Sequence, residues 1–181
     1  MSEIIALSGS PSKNSRSAFV LKYIGSLLIE KGFTVTYLSI RDLPTEVLFN
    51  GEYNHPTVKN IATLMKEADG VIVGTPVYKA SYSGVLKTLL DILPQDILED
   101  TPVLPLMTGG SSSHLLAMEY ALKPLLATLK GLNLKGVYLE DSQIDKNNPM
   151  SPVADPKTLE RIGKQVAYFT KIINKKKKVL Y

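Results

Sequence analysis

The first candidate for chemistry is a stretch of hydroxyl and basic side chains near the N-terminus. Residues 8–17 contain five serines, one lysine and one arginine. Hydroxyls, Arg16 and the free amides at the start of a following helix favour an anion, because the helix dipole is positive there. The spacing matches neither a P-loop nor the dinucleotide fingerprint, since Pro11 occupies the position of the second glycine. We predict a site for a small terminal phosphate, or alternatively a serine-rich turn in which Ser15 caps the helix.

A second stretch, residues 75–84, combines proline, tyrosine, small residues and glycine. Pro76, Val77 and Tyr78 could form a wall for a flat heteroaromatic ring, and backbone amides around residues 79–80 could meet the polar edge of that ring. The alternative is that the tyrosines of this stretch are ordinary amphipathic side chains that shield the end of a sheet.

A third stretch begins at Thr108 and continues with the paired glycines Gly109 and Gly110. Paired glycines let a backbone approach a ligand closely, so their amides could bind the carbonyl-bearing edge of a ring. The alternative is a flexible connection in which Ser113 caps the next helix. For His114 we expect a role at the helix start or in an interface, because no carboxylate and hydroxyl nearby complete a catalytic triad.

These stretches follow predicted strands, which is what would bring them together. Hydrophobic patterns predict strands at residues 4–8, 33–38, 70–75, 102–108 and 136–140. Predicted helices alternate with them at residues 19–28, 58–65, 85–93, 115–130 and 159–174, and an irregular connection is predicted for residues 44–56. This alternation indicates an α/β fold with a doubly wound parallel sheet covered by helices on both faces. Ligands of such sheets bind beyond the carboxyl ends of the strands, where all three stretches lie.

Length and composition limit the class of protein. The chain has 181 residues, 44% of them hydrophobic, and no cysteine. We expect one domain at residues 1–174 and a basic tail at residues 175–181. The absence of cysteine excludes disulfides, thiolate metal sites and a thiol nucleophile, and two histidines leave little room for a His-rich metal site, so no metal is expected.

The charge pattern argues against a nucleic-acid partner. The formal net charge is +4, and the four consecutive lysines at residues 175–178 account for all of it. A nucleic-acid binder would spread its basic residues over a face with interleaved aromatic residues. No apolar stretch is long enough for a membrane helix and no leader pattern is found, so we expect a cytoplasmic location without membrane contact.

The predicted helix at residues 115–130 is apolar around most of its circumference, which a surface helix should not be. One face must cover the sheet, and we expect another face to pack on a second subunit in a homo-oligomer. Pro124 lies inside this helix, and its ring would collide with the carbonyl of Tyr120. We therefore predict a kink or a π-bulge at Tyr120.

Taken together, the chain resembles the NADPH-dependent FMN reductase family, and within it the flavin reductases of two-component alkanesulfonate monooxygenase systems. The resemblance extends to about Gln143. The motifs that carry it are Gly9-Ser10-Pro11, Ser15-Arg16-Ser17, Ala68-Asp69-Gly70, Thr75-Pro76-Val77-Tyr78-Lys79-Ala80, Tyr82-Ser83-Gly84, Leu86-Lys87-Thr88-Leu89-Leu90-Asp91, Thr108-Gly109-Gly110, His114-Leu115-Leu116-Ala117 and Tyr120-Ala121-Leu122-Lys123-Pro124.

The resemblance implies a flavodoxin-like five-stranded sheet of order 2-1-3-4-5, with FMN and NADPH as cofactors. It implies that hydride passes between cofactors without a catalytic side chain, and that reduced FMN goes to a flavin-dependent monooxygenase that assimilates sulfonate sulfur. It also implies a dimer or tetramer in which Tyr120, in a π-helix at the interface, influences flavin release. The implied FMN-binding residues are Ser8, Ser10, Ser15, Arg16, Ser17, Pro76, Val77, Tyr78, Lys79, Ala80, Ser81, Thr108, Gly109 and Gly110.

Two other functions share most of these motifs. One is a quinone or azo-compound reductase that keeps FMN bound and reduces an organic acceptor. The other is a non-enzymatic electron carrier of the flavodoxin type, against which the basic pI of about 9.1 argues, since such carriers tend to be strongly acidic.

Overall fold

A parallel sheet forms the centre of the computed structural model, which describes residues 2–179, apart from the side chains of residues 177–179. Its strands run in the order β2-β1-β3-β4, and two short strands, β5 and β6, both pair with β4. Every strand pair is parallel. The strands are β1 (Glu3–Ser8), β2 (Thr34–Ser39), β3 (Gly70–Pro76), β4 (Pro102–Gly109), β5 (Leu132–Asn133) and β6 (Val137–Glu140).

Helices cover the sheet on both faces, as the near-continuous apolar strands require. Helices α1 (Arg16–Glu30) and α7 (Pro156–Val179) pack on one face. The other face is covered by α2 (Thr45–Asn50), α3 (Pro56–Glu67), α4 (Gly84–Ile92) and the interrupted helix that follows β4. That interrupted helix consists of α5 (Leu115–Ala117), a π-helical turn (Met118–Leu122) and α6 (Lys123–Thr128). The predicted fold class and the order of the five predicted strands are confirmed.

The predicted π-bulge at Tyr120 is confirmed as well. Tyr120 is the central residue of the π-helical turn, and Pro124 follows as the second residue of α6. Proline cannot donate to the carbonyl four residues earlier, and its ring needs the space in which that carbonyl would lie. The chain accommodates the ring by widening one turn of the helix.

Three sequence-based expectations differ from the structure. The connection at residues 44–56 is not wholly irregular, since it contains α2, which ends at Gly51 in a left-handed conformation (φ 67°). Strand β5 was not predicted. The last helix does not end at Asn174 but extends through Val179, so the lysines of the expected basic tail continue α7, while Leu180 and Tyr181 lie outside the described residues.

The register of the sheet places the three candidate stretches side by side. Ser8, the last residue of β1, pairs with Gly74 in β3, and Pro76, the last residue of β3, pairs with Thr108 near the end of β4. We call the segments that follow loop 1 (residues 9–15), loop 2 (residues 77–83) and loop 3 (residues 110–114). No helix among the described residues is long and apolar enough to cross a membrane.

Candidate functional site

Loop 1 gathers buried hydroxyls at the start of α1. Ser10 and Ser17 are 1% exposed and Ser15 is 5% exposed, which is unusual for polar side chains. The Ser15 and Ser17 hydroxyls lie 2.8 Å apart, and Ser10 Oγ accepts the amide of Ser12 at 3.3 Å. Ser15 also caps α1, because its Oγ accepts the amide of Ala18 at 3.4 Å. The proposed phosphate contact and the alternative of a helix cap are therefore compatible at this serine.

Arg16 is the first residue of α1 and lies between Ser15 and Ser17 in the sequence. Its Nη1 lies 3.7 Å from Asp141 Oδ2, just after β6. Its Nε is buried and has no hydrogen-bond partner among the described residues. Because a buried guanidinium N–H without a partner costs free energy, its position at the positive end of α1 fits an anionic group such as a phosphate.

Loop 2 is a tight hairpin turn with an unusual backbone. The amides of Tyr78 and Ser81 donate to each other's carbonyls, at 2.8 and 3.1 Å. Between them, Lys79 and Ala80 have φ angles of 50° and 63°. Two successive positive φ values define the turn type in which glycine and asparagine are preferred, and a lysine or alanine there stores about 1–2 kcal/mol each. The turn is exposed, so the stored strain is located at the surface of the candidate ring site.

Two buried hydroxyls anchor loop 2, and one of them, that of Ser83, connects it with loop 1. Thr75 Oγ1 accepts the amide of Ser83 at 3.1 Å. Ser83 Oγ donates to the carbonyl of Gly9 and accepts the amide of Leu86 at 3.1 Å, so it both caps α4 and bridges the two loops. Neither Ser83 nor Thr75 is exposed. No local pattern could have revealed the bridge, because Gly9 and Ser83 are 74 residues apart.

Backbone contacts complete the connection between the loops. The amide of Gly9 donates to the carbonyl of Gly74 at 2.7 Å, and the amide of Val77 donates to the carbonyl of Thr108 at 2.7 Å. Loop 1 and the end of β4, which leads into loop 3, are therefore each tied to β3 or to the segment that follows it.

The paired glycines before loop 3 have different surroundings. A Cβ atom at Gly109 would lie 2.8 Å from Tyr138 Oη and 3.1 Å from His114 Nδ1, so this glycine permits close packing inside the protein. Gly110 is exposed, and a Cβ atom there would meet no atom within 4 Å. Of the two glycines, only Gly110 has free space for a ligand beside its backbone.

Tyr138 and Ser111 hold loop 3 in place. The Tyr138 hydroxyl donates to the carbonyl of Ser111. Burial raises the pKa of the Tyr138 phenol, and the carboxylates of Glu140 and Asp141 raise it further. Ser111, not Ser113, caps the helical turn at Ser112–His114, because Ser111 Oγ accepts the amide of Ser113 at 3.2 Å.

The remaining predicted positions lie around these three loops. Ser8 ends β1 and is half-buried, and Thr108 is buried at the end of β4. Tyr120 is 79% exposed on the π-helical turn, next to Leu116, which is 58% exposed. Among residues 2–179, no group of three or more acidic or histidine side chains could hold a metal ion. The structure brings the buried hydroxyls at the start of α1 and the exposed backbone of loops 2 and 3 to one edge of the sheet.

Comparison with known proteins identifies the family to which the chain is similar. The model of the family described as NADPH-dependent FMN reductase matches residues 2–145. An FMN reductase (NADPH) of Pseudomonas putida KT2440 is 46% identical over 142 residues, which are 78% of this chain and 72% of that protein. An FMN reductase (NADPH) of Escherichia coli K12 is 45% identical over 142 residues, with 78% and 74% of the two chains covered.

Among solved structures, the apo form of the NADH:FMN oxidoreductase EMOB superimposes with a TM-score of 0.83 at 33% sequence identity. The match covers 93% of this chain and 88% of that one. It therefore extends over more of the chain than residues 2–145, which the family model matches.

Proposed function

The chain belongs to the NADPH-dependent FMN reductase family, and from this premise we propose that its reduced FMN leaves to serve a separate flavin-dependent monooxygenase that assimilates sulfonate sulfur. The protein is an oxidoreductase that uses FMN and NADPH. The step between them is a hydride transfer from the nicotinamide to the flavin ring, and the chemistry belongs to the cofactors. The chain's own task is to bind and orient both molecules.

In this proposal the terminal phosphate of FMN is held by loop 1 and the start of α1. The observation that carries it is the buried Nε of Arg16, which has no partner in the described part of the chain and belongs to the residue between the buried Ser15 and Ser17. The proposed phosphate ligands are Ser10, Ser15, Arg16 and Ser17, with Ser8 at the end of β1 beside them.

The flavin ring is proposed to lie between loops 2 and 3. Residues 76–81 would form one wall, and residues 108–110 would meet the polar edge. The hydrogen bond from the Val77 amide to the Thr108 carbonyl keeps these two segments adjacent, and the exposed Gly110 leaves room for a ligand. None of these side chains acts as an acid or base in the proposal.

Release of the reduced flavin is supported by the exposure of its proposed ring site. Tyr78, Lys79 and Ala80 are all exposed, in contrast to the buried serines of loop 1. A ring held on an exposed loop can exchange with solvent, which a reductase that supplies a second enzyme requires. We propose a cytoplasmic location, where the nicotinamide substrate is available.

We also propose a homo-oligomer, a dimer or tetramer, formed through the π-helical turn. Leu115, Leu116 and Tyr120 are 42%, 58% and 79% exposed and lie on one short segment directly after loop 3. A contiguous exposed apolar patch of this kind is typical of an interface between subunits.

The function is tested by measuring NADPH oxidation by the purified protein while free FMN is titrated from none to excess, with FAD and a quinone as parallel acceptors. Saturable dependence on free FMN is expected for a reductase that releases its flavin. A protein that stays yellow, does not respond to added FMN and reduces the quinone would be an acceptor reductase, and the proposed release would be wrong.

A further inference from the structure

A groove on the outer side of loop 1 adjoins the proposed FMN phosphate site and shares Ser8 and Ser10 with it. It lies between α1 and the edge strand β2 and has a volume of about 360 Å³. Its floor is the face of the sheet on which Ala6 and Ser8 of β1 are in register with Tyr37 and Ser39 of β2. The Ser10 and Ser12 segment of loop 1 forms its upper wall, so the groove and the proposed phosphate site share that loop.

The groove carries an excess of positive charge that the protein does not neutralise. Lys13, Lys22 and Arg41 line it together with one carboxylate, Asp42, which gives three positive charges and one negative, a net charge of +2. Within residues 2–179, the side chains of these three cations make no ion pair or hydrogen bond. Asp42 is committed elsewhere, because its Oδ2 accepts the amide of Ser39 at 3.2 Å.

One wall of the groove is aromatic and fixed. The Tyr37 hydroxyl donates to the carbonyl of Lys22 in α1 at 3.2 Å. The ring lies against Gly25, where a Cβ atom would come within 2.0 Å of Tyr37 Oη, so only glycine allows this contact. Tyr37 remains 40% exposed and offers a flat apolar surface beside the three cations.

The place of the groove in the fold indicates what it could bind. In Rossmann folds, whose strand order and glycine fingerprint differ from those of this chain, an arginine near the ribose accommodates the 2′-phosphate of a dinucleotide. Here Arg41, two residues after the end of β2, supplies a cation at the edge of the sheet next to β1. Adjacent strands are about 4.8 Å apart, so the groove is about 15 Å from the end of β4, within reach of an extended dinucleotide whose other end is at the ring site.

We propose that this groove binds the adenosine half of NADPH, with Lys22 and Arg41 holding its 2′-phosphate, Lys13 adding charge at the rim and Tyr37 contacting the adenine. The proposal rests on the assignment of FMN to loops 1 to 3, because it requires the nicotinamide to be at the flavin ring. It gives the chain a physical basis for using NADPH, since NADH carries no phosphate for these cations.

The direct test is calorimetric binding to the FMN-loaded protein, with adenosine 2′,5′-bisphosphate and adenosine 5′-monophosphate as probes. We expect the bisphosphate to bind at least about tenfold more tightly, as a charge-assisted phosphate contact provides. The combined substitutions Lys22→Gln and Arg41→Gln should abolish this difference. Lys31→Gln, at the exposed C-terminal end of α1, is the matched control and should leave it unchanged.

Steady-state kinetics supply a second readout. In the double variant the ratio of KM for NADPH to KM for NADH should rise about tenfold relative to the unmodified chain. A double variant that keeps both the preference for the bisphosphate and this ratio would overturn the proposal. Displacement of the bisphosphate by excess free FMN would also overturn it, because the groove would then be a second flavin-phosphate site.

A failure of the proposed function can be distinguished from a failure of the proposed adenosine site. If NADPH oxidation does not depend on free FMN, the proposed release of reduced flavin is wrong, whereas binding of the bisphosphate to the groove is measured without turnover.

Discussion

Loops 1 and 2 lie side by side at the same edge of the sheet, yet the parts proposed to meet the ligand differ. At loop 1 and the start of α1 these parts are the hydroxyls of Ser10, Ser15 and Ser17, which are almost inaccessible, whereas residues 11–14 between them are exposed. In loop 2 the proposed part is the exposed turn at residues 78–80, which holds Lys79 and Ala80 at positive φ. Of the four non-glycine residues with positive φ among residues 2–179, these two are the only adjacent pair.

The difference corresponds to two tasks. A buried, hydroxyl-rich site at a helix N-terminus can bind the phosphate group of a ligand tightly, since its hydrogen-bond donors are already in position. An exposed and strained turn is less suited to tight binding, but its backbone donors are preorganised and accessible. We infer that affinity for FMN comes mainly from loop 1 and that orientation and exchange of the ring depend on loop 2.

The largest expected effect comes from removing the charge on the loop 1 side. Arg16→Ala should weaken FMN binding by about 2–3 kcal/mol, or roughly 30-fold to 150-fold in Kd, because a charge-assisted contact to the phosphate is lost. Riboflavin, which lacks the phosphate, serves as the matched ligand and should bind to both proteins alike. Fluorescence titration measures both affinities, and an unchanged FMN affinity would remove Arg16 from the site.

The bridge between the loops should give the next largest effect. Ser83→Ala leaves the buried carbonyl of Gly9 and the amide of Leu86 without their partner, which costs about 1–3 kcal/mol in the free energy of unfolding. Because Ser83 positions both loops, FMN and riboflavin affinities should fall by similar factors, unlike in Arg16→Ala. Ser113→Ala, an exposed serine on loop 3, is the control. A variant that weakens FMN alone would show that Ser83 acts on the phosphate cradle and not on both loops.

The features of this arrangement that the sequence predicts are those fixed by residues close together in the chain. The regular strands follow from continuous apolar runs, and the π-helical turn follows from Pro124, because a proline acts on the turn directly before it. Helix α2 was missed although Pro44 and Gly51 flank it, a pattern typical of a short helix. Strand β5 has only two residues, too few to show an alternation.

The long-range features had no local signal. The contact of Ser83 with Gly9 exists only after β1 and β3 pair, and nothing in the residue types of Lys79 and Ala80 indicates positive φ, for which glycine is the usual marker. For the four lysines after Asn174 the sequence predicts a basic tail following a helix; α7 instead continues through them, because lysine is a good helix former.

A smaller effect is expected at the π-helical turn, through which we propose that the subunits associate. Tyr120→Ala removes the most exposed aromatic side chain of the π-helical turn, and truncating an interface aromatic costs about 1–2 kcal/mol, roughly tenfold in a subunit dissociation constant. Sedimentation velocity should show a shift towards smaller species, with a change in flavin release. Tyr53→Ala, which is 66% exposed elsewhere, is the control. Unaltered sedimentation and unaltered flavin affinity would contradict the proposed role of Tyr120.

The smallest expected effect tests the strain itself. Lys79→Gly relieves a left-handed lysine but adds freedom to the unfolded chain, so it should stabilise the protein by only about 0.5–1 kcal/mol, or roughly 1–4 °C in Tm. Lys13→Gly in loop 1, where φ is not positive, should destabilise by a similar amount, because only the entropy cost applies. If the strain serves to orient the ring, Lys79→Gly should also weaken riboflavin binding a few-fold, since a glycine turn is less preorganised. Equal Tm changes in the two variants would mean that loops 1 and 2 do not differ in stored strain, and the contrast between them would rest on burial alone.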